Sequence, residues 1–402
     1  MSLGKAAYVI DAIRTPIGKY RGGLARVRAD DLAAHVIRAL GERQGQLFEH
    51  LDHVIFGATN QSGEDNRNVA RMALLLAGVS YDVPALTVNR LCGSGLEAVQ
   101  DAVRMIALGE ADVIVAGGVE NMTRSPYSMP KPSEPYSRNP PTIYDTTIGW
   151  RYPNPKMAER FDLIGLGETA ENVAKKFDIT REDQDELAMQ SHKKAAAAWD
   201  SGAFANEVVP IPVPGEKGAV TQFTRDESIR ADTTLEKLAK LEPAFKKGGT
   251  VTAGNASPLN DGAAAVCLAS EEGCKALGAQ PLARVMAGAT VGVDPNYMGE
   301  GPIPATKKAL ARAGLRVPNV DLVEINEAFA AQVIACQRGL DFDPTRVNVR
   351  GGAIALGHPI GASGARIVGT LVHAMRARRA KVGLATLCIG VGQGMSVLFE
   401  ST

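Results

Sequence analysis

Val88-Asn89-Arg90-Leu91-Cys92-Gly93-Ser94-Gly95-Leu96 is the stretch whose reading decides the fold. An apolar run from Ala85 halts at Asn89. Beyond a glycine-bearing turn, Leu96, Val99, Val103 and Ile106 recur at helical spacing until Gly109 ends the stripe. A second apolar run, Asp112 to Gly118, follows, so the segment reads as strand, turn, helix, strand. Cys92 stands where strand gives way to helix. Free backbone N–H groups and the helix dipole favour a thiolate there, and the glycines leave room for a substrate carbonyl. This predicts a nucleophile.

The same order recurs from Arg346 to Glu400: a short strand Val347 to Val349, a long glycine-rich turn, a helical stripe Gly364, Val368, Leu371 and Met375, and a strand Val382 to Cys388. Upstream, Asp52-His53-Val54-Ile55-Phe56 and Asp321-Leu322-Val323-Glu324-Ile325 also correspond, each after a helical stretch. The expected fold class is α/β, with two similar halves related by a pseudo-twofold axis and mostly parallel sheets.

Between the halves, residues 122–155 hold eight prolines and cannot form a regular element. A short amphipathic helix, Glu168 to Phe177, comes next, and then Thr180 with Asp183 forms an N-cap pair ahead of Leu187 and Met189. The strand-like run Asp261 to Ser270 returns the chain to the first half. The expected division is 1–121 plus 250–275 for the N-terminal half, 122–249 for an inserted loop or lid domain, and 276–402 for the C-terminal half.

The 402 residues carry 44 Lys and Arg against 44 Asp and Glu, so no overall field draws the chain to nucleic acid or an anionic membrane. No apolar run approaches a bilayer span, and Lys5, Asp11, Arg14 and Lys19 argue against a secretory leader. A soluble cytoplasmic protein is expected. The five cysteines include no CxxC pair and no histidine at zinc spacing, which argues against a disulfide framework or a structural metal. Cys267 reads as a buried hydrophobe.

His358 occupies the turn equivalent to that of Cys92, in Gly351-Gly352-Ala353-Ile354-Ala355-Leu356-Gly357-His358-Pro359-Ile360-Gly361, where the surrounding glycines would expose it. If the halves pack about a twofold axis, the two helix starts converge and set imidazole beside thiol. Cys388 ends the last long strand before Ile389-Gly390-Val391-Gly392-Gln393-Gly394 and reads as presented rather than buried. Asn326 and Glu327, in Ile325-Asn326-Glu327-Ala328-Phe329-Ala330, fall at another strand end. A nucleophile, a base, a second thiol and an amide make an acyl-transfer set. A rival reading takes Gly93-x-Gly95-x-x-Ala98, with Glu120 ending the next strand, as the fingerprint of an NAD-dependent oxidoreductase. That reading gives no role to Cys92, His358 or Cys388.

Across the whole chain, Asn89 to Gly95, Asn326 to Ala330, Gly351 to Gly364 and Cys388 to Gly394 resemble four blocks of the thiolase family in order. The resemblance implies the thiolase fold and acyl transfer between CoA thioesters by Claisen condensation or its reverse. By the family pattern Cys92 is the acylated nucleophile, His358 its base and Cys388 the acid/base at the α-carbon. Asn326 would hold a water that, with His358, stabilises one thioester oxyanion, and the N–H groups of Cys92 and Gly390 would stabilise the other. The resemblance implies coenzyme A or acetyl-CoA as substrate and no permanently bound cofactor. It places Ala253 and Ser257 along a pantetheine tunnel, Arg230 near the nucleotide, and Leu166, Met298, Ala328 and Phe329 around the acyl group. Homodimers or homotetramers are usual in the family, and its members serve fatty acid metabolism or aromatic degradation.

Gly63 to Arg71, Asp145 to Arg151 and Val391 resemble 3-oxoadipyl-CoA thiolases, whereas Gly165-Leu166 matches neither these nor the His-Met of acetoacetyl-CoA thiolases, the alternative. A distal carboxylate needs a cation, with Arg151 and Arg67 the candidates. A non-catalytic, acyl-CoA- or lipid-binding relative would lack one of the four catalytic residues, all of which are present here.

Overall fold

The computed structural model describes residues 4–136, 138–215 and 218–402. Nine strands carry the main sheet: β1 (Tyr8–Arg14), β2 (His53–Gly57), β3 (Ala85–Val88), β4 (Val113–Asn121), β5 (Asn260–Ala269), β6 (Ala283–Gly292), β7 (Leu322–Ile325), β8 (Val382–Ile389) and β9 (Gln393–Ser401). Their spatial order is β7-β8-β9-β6-β1-β5-β4-β2-β3, and the two-residue strand Gly18–Lys19 beside β5 makes a tenth.

From edge to centre the two ends of this sheet repeat one another. On one side β3 and β4 flank β2 in parallel, followed by antiparallel β5 and β1. On the other, β7 and β8 are parallel, followed by antiparallel β9 and β6. The counterpart of β3 has shrunk to single bridges, Val323 to Val347 and Val349 to Gly351, where a short strand was expected. The halves meet where Tyr8 and Val9 pair with Arg284 and Ala283. Asp52 marks the repeat in atomic detail. Its Oδ2 accepts the N–H of Asp112 at 2.7 Å and of Val113 at 2.9 Å, and Asp321 Oδ2 accepts those of Lys381 at 2.8 Å and Val382 at 3.0 Å.

The expectation of mostly parallel sheets fails, because among the named strands of the described residues parallel pairing joins only β2 to its two neighbours and β7 to β8. The turn Gly390–Gly392 is too short for a crossover and can only send β9 back against β8.

Alternation along β4 sorts the core. Val113, Val115 and Val119 face α1 (Ala29–Gln44) and α2 (Val69–Leu76). Ile114 and Ala116 face α3 (Ser94–Leu108) and the chain's last helix (Ile360–Arg378). Ala385, Leu387 and Ile389 of β8 join that same inner cluster, so these two helices lie between both ends of the sheet. Burying Leu96 or Ile106 there contributes about 1.5–3 kcal/mol each.

The inserted segment brings α4 (Leu166–Lys176) and α5 (Arg181–Asp200). Thr180 caps α5 as its sequence predicts, with Oγ1 accepting from Asp183 N at 3.0 Å while Asp183 Oδ2 accepts from Thr180 N at 3.2 Å. In the second half α6 (Pro302–Ala313) and α7 (Ala330–Leu340) cover the outer face. The last helix, α8 (Ile360–Arg378), is buried on every side from Ile360 to Met375, although its sequence reads as amphipathic. Its polar residues find internal partners: Thr370 donates to Glu207 at 2.8 Å, and His373 Nε2 lies 2.8 Å from Ala12 O.

Glycines let α3 and α8 touch backbone to backbone. A Cβ on Gly364 would lie 2.1 Å from Leu96 N, and one on Gly95 would lie 2.7 Å from Ala365 N. This close approach brings together the turns that precede the two helices.

Candidate active site

The turn before α3 is built by local hydrogen bonds. Leu91 N donates to Asn89 Oδ1 at 3.0 Å, Arg90 N to Ser94 Oγ at 2.9 Å, and Ser94 Oγ to Leu91 O at 2.6 Å. Leu91 is held at a left-handed φ of 47°. Cys92 follows, only 7% exposed. Burial pushes its thiol pKa up, against the N–H groups of Gly390 and of Cys92 itself, which favour the thiolate. Desolvation thus works against the thiolate that the helix start and these N–H groups favour.

His358 is also 7% exposed, so the glycines around it serve close packing rather than exposure. Ser363 Oγ donates its single proton to Pro359 O at 2.9 Å, so it must accept from His358 Nδ1, which lies 2.6 Å away. The Nε2 lone pair is thereby the acceptor, and Asn326 Nδ2 donates to it at 3.4 Å, a long hydrogen bond. Burial, aided by the Arg366 cation, pushes the imidazole pKa down to about 3. Thiol and imidazole thus both rest neutral. Asn326, fully buried, is flanked on its other side by Arg366, whose Nη2 lies 3.4 Å from Asn326 Oδ1. Arg366 sits in turn 3.5 Å from Glu324.

Cys388 is 0% exposed, which overturns the expectation of a presented thiol. Burial comes first and the neighbouring Cys92 second in holding its pKa well above the ordinary range, so the two sulfurs feel one another. Leu166, Met298, Ala328 and Phe329 pack with it, together with Ala170, Val251 and Ala256. Ser257 N donates to Ala328 O at 3.0 Å, fixing the 250–257 turn against this cluster. Ala253 lies exposed on the same turn. Arg230 is exposed and stands apart, its N–H donating to His192 Nδ1 at 3.1 Å. Glu327 serves the fold, accepting from Ser191 Oγ at 2.6 Å, Asn348 Nδ2 at 2.8 Å and Ile354 N at 3.2 Å.

A cavity of about 260 Å³ opens beside Cys92 and Gly390, walled by residues 146–151, 162 and 164–166 of the insertion. Arg151 lines it and Arg67 does not. Cys92 and Gly390 line this cavity, while His358, Asn326 and Cys388 lie behind its wall; a thiol at a cavity, a neighbouring second thiol, an imidazole and N–H donors suit nucleophilic acyl transfer.

Residues 7–272 match the thiolase N-terminal domain family and residues 279–401 the thiolase C-terminal domain family. The chain belongs to the thiolase family. The chain is 51% identical over 399 residues to the 3-oxoadipyl-CoA/3-oxo-5,6-dehydrosuberyl-CoA thiolase of Escherichia coli strain K12, covering 98% of this chain and 99% of that one. It is 49% identical over 397 residues to the acetyl-CoA acetyltransferase of the same organism, again covering 98% and 99%. Among solved structures, human mitochondrial 3-ketoacyl-CoA thiolase in complex with CoA superposes with a TM-score of 0.92 at 42% identity, covering 100% of this chain and 99% of that one.

In this thiolase the dinucleotide reading is excluded. Glu120 is buried and accepts four hydrogen bonds, from Thr59 N and Oγ1, Asn60 N and Gly361 N at 2.7–3.2 Å, which leaves it nothing to offer a ribose. Sequence reasoning gave no role to Ser363, Arg366 or the wall residue Thr59, although the block Asp145 to Arg151 already held the wall residues Thr146 and Ile148. Ser363 and Arg366 were open to discovery, since they stand five and eight residues after His358, on the first turns of its helix.

Proposed function

We propose that this thiolase cleaves 3-oxoadipyl-CoA with coenzyme A into acetyl-CoA and succinyl-CoA. Full-length similarity to a relative of that name carries the reading. The Cys92 thiol attacks the 3-oxo carbonyl while His358 Nε2 takes its proton. The C2–C3 bond then breaks and Cys388 protonates the departing carbanion at C2. The thiol of the incoming coenzyme A gives its proton to the Cys388 thiolate and attacks the acyl carbonyl, and Cys92 leaves with the proton held by His358. In this scheme a water held by Asn326 stabilises, with His358, the thioester oxygen of the leaving acetyl unit, and the N–H groups of Cys92 and Gly390 stabilise the oxygen of the acylated carbonyl. Donors so placed are worth about 3–4 kcal/mol each.

Ala253, Ser257 and Arg230 are assigned to coenzyme A, and Leu166, Met298, Ala328 and Phe329 to the acyl end. The proposed domains are 1–121 with 250–275, 122–249 and 276–402, and the proposed assembly is a homodimer or homotetramer. The cytoplasm is the proposed compartment, which suits five cysteines that are all free. No helix among the described residues is long and apolar enough to cross a membrane.

Steady-state thiolysis of a substrate panel tests the reading. The kcat/KM for 3-oxoadipyl-CoA should exceed that for acetoacetyl-CoA by at least about tenfold, or ~1.4 kcal/mol. A preference for acetoacetyl-CoA or for long unbranched 3-oxoacyl-CoA would instead mark a general thiolase.

A further inference from the structure

The cavity beside Cys92 is mostly apolar, with Leu91, Ile148, Trp150, Ile164, Leu166 and Ile360 in its wall. Among the described residues only two charged ones line it, Arg151 and Asp162. Asp162 is exposed and accepts a hydrogen bond from Asn296 Nδ2 at 3.3 Å. Arg151 is half-buried, and both groups that hold its guanidinium are neutral: Nη1 donates to Thr146 O at 2.8 Å and Nη2 to Thr59 O at 3.4 Å. Among the described residues no carboxylate lies within ion-pair distance of it. A cation fixed in an apolar wall with no counter-ion is unusual, because partly desolvated charges are normally paired.

The groups that hold Arg151 are themselves fixed. Thr59 Oγ1 donates to buried Glu120 at 2.7 Å, and Thr59 O also accepts from Asn89 Nδ2 at 3.2 Å, inside the turn that carries Cys92. Asn60 Nδ2 donates to Thr146 Oγ1 at 2.9 Å. The wall around Arg151 is pinned as well, since Trp150 Nε1 donates to Ile164 O at 3.1 Å and joins the two inserted segments. Glu120, the nearest anion in this network, is saturated by its own donors and does not line the cavity.

We propose that the Arg151 guanidinium receives the distal carboxylate of the acyl group bound for Cys92, and so makes this thiolase selective for dicarboxylic 3-oxoacyl-CoA substrates. The assignment rests on the 3-oxoadipyl reading and deepens it. Arg151 carries five N–H donors, and two carbonyls occupy one on each terminal nitrogen, so the planar group keeps donors free for a carboxylate. The carboxylate supplies the counter-charge that the wall lacks. Arg67 takes no part, being exposed and outside the cavity.

The test compares 3-oxoadipyl-CoA with 3-oxohexanoyl-CoA, which has the same chain length but a methyl in place of the carboxylate. In the parent enzyme the ratio of their kcat/KM values should favour the dicarboxylic substrate. Arg151→Met should lower that ratio by at least about thirtyfold, and Arg151→Lys, which keeps the charge but loses the fork, by less than about tenfold. Unchanged melting temperatures establish that both variants are folded. If the parent prefers 3-oxoadipyl-CoA and Arg151→Met retains the preference, or loses activity equally on both substrates, Arg151 is not the receptor although the substrate reading stands. A parent enzyme with no preference for the carboxylate would overturn both.

Discussion

Ser363→Ala offers a direct test of how His358 is held. The Ser363 hydroxyl is spent on Pro359 O, so its oxygen is an acceptor only, and it fixes the proton on His358 Nδ1. When Nε2 takes the Cys92 proton, the imidazole becomes cationic and the 2.6 Å contact becomes a charge-assisted hydrogen bond. Such a bond is worth about 1.5–3 kcal/mol, and the site already opposes an imidazolium strongly enough to press the pKa to about 3. Losing it should slow acylation of Cys92 by roughly 10- to 150-fold, with KM little altered, because the bond strengthens only as charge develops. The assay is rapid-quench mass spectrometry of acetyl transfer from acetyl-CoA, with circular dichroism to establish folding. An acylation rate within twofold of the parent would refute the idea that Ser363 sets the tautomer.

Other outcomes follow from the same geometry. Cys388→Ala should still show an acetyl thioester on Cys92 by peptide mass spectrometry, yet lose condensation and solvent exchange of the acetyl methyl protons by at least about a hundredfold. Equal loss of both half-reactions would contradict separate roles for the two thiols. Because burial raises the Cys92 thiol pKa, its alkylation by iodoacetamide should keep accelerating past pH 9, and a plateau reached near pH 7 would show a resting thiolate instead. Burial, with repulsion from Glu120, pushes the Asp65 carboxyl up from 3.8 to about 7. The native state therefore holds a proton that the unfolded chain has released, and this costs stability as pH rises from about 4 to 7. Asp65→Asn should then gain on the parent by up to about 1.4 kcal/mol per pH unit across that window and level off above it. A thermal-shift difference that stays flat from pH 5 to 8 would show that Asp65 ionises normally.

The turn carrying Cys92 was legible because periodicity changes there from two to 3.6 around glycines, and those carrying His358 and Cys388 through the glycine-rich runs beside them. The repeat was legible through Asp52 and Asp321, whose flanking residues match by eye. Strand direction was not, since β5 and β9 owe their antiparallel course to a long insertion and to a three-residue hairpin. Exposure was misread for a single reason. Glycines next to Cys92, His358 and Cys388 suggest open turns, but at Gly95 and Gly364 the missing side chains make room for another backbone. The cavity wall was legible only in part, because residues 146–151 and 162–166 meet through contacts such as Trp150 to Ile164 that leave no periodic trace.

The matched hydrogen bonds of Asp52 and Asp321 carry a further consequence. A body with true twofold symmetry would present the same side chain twice at its axis. Acyl transfer needs unlike partners there, one to attack and one to accept a proton. Duplication within a single polypeptide frees each copy to drift at its own turn while the shared frame keeps the two registered. A thiol could then settle in one copy and an imidazole in the other, and neither copy alone would hold the pair.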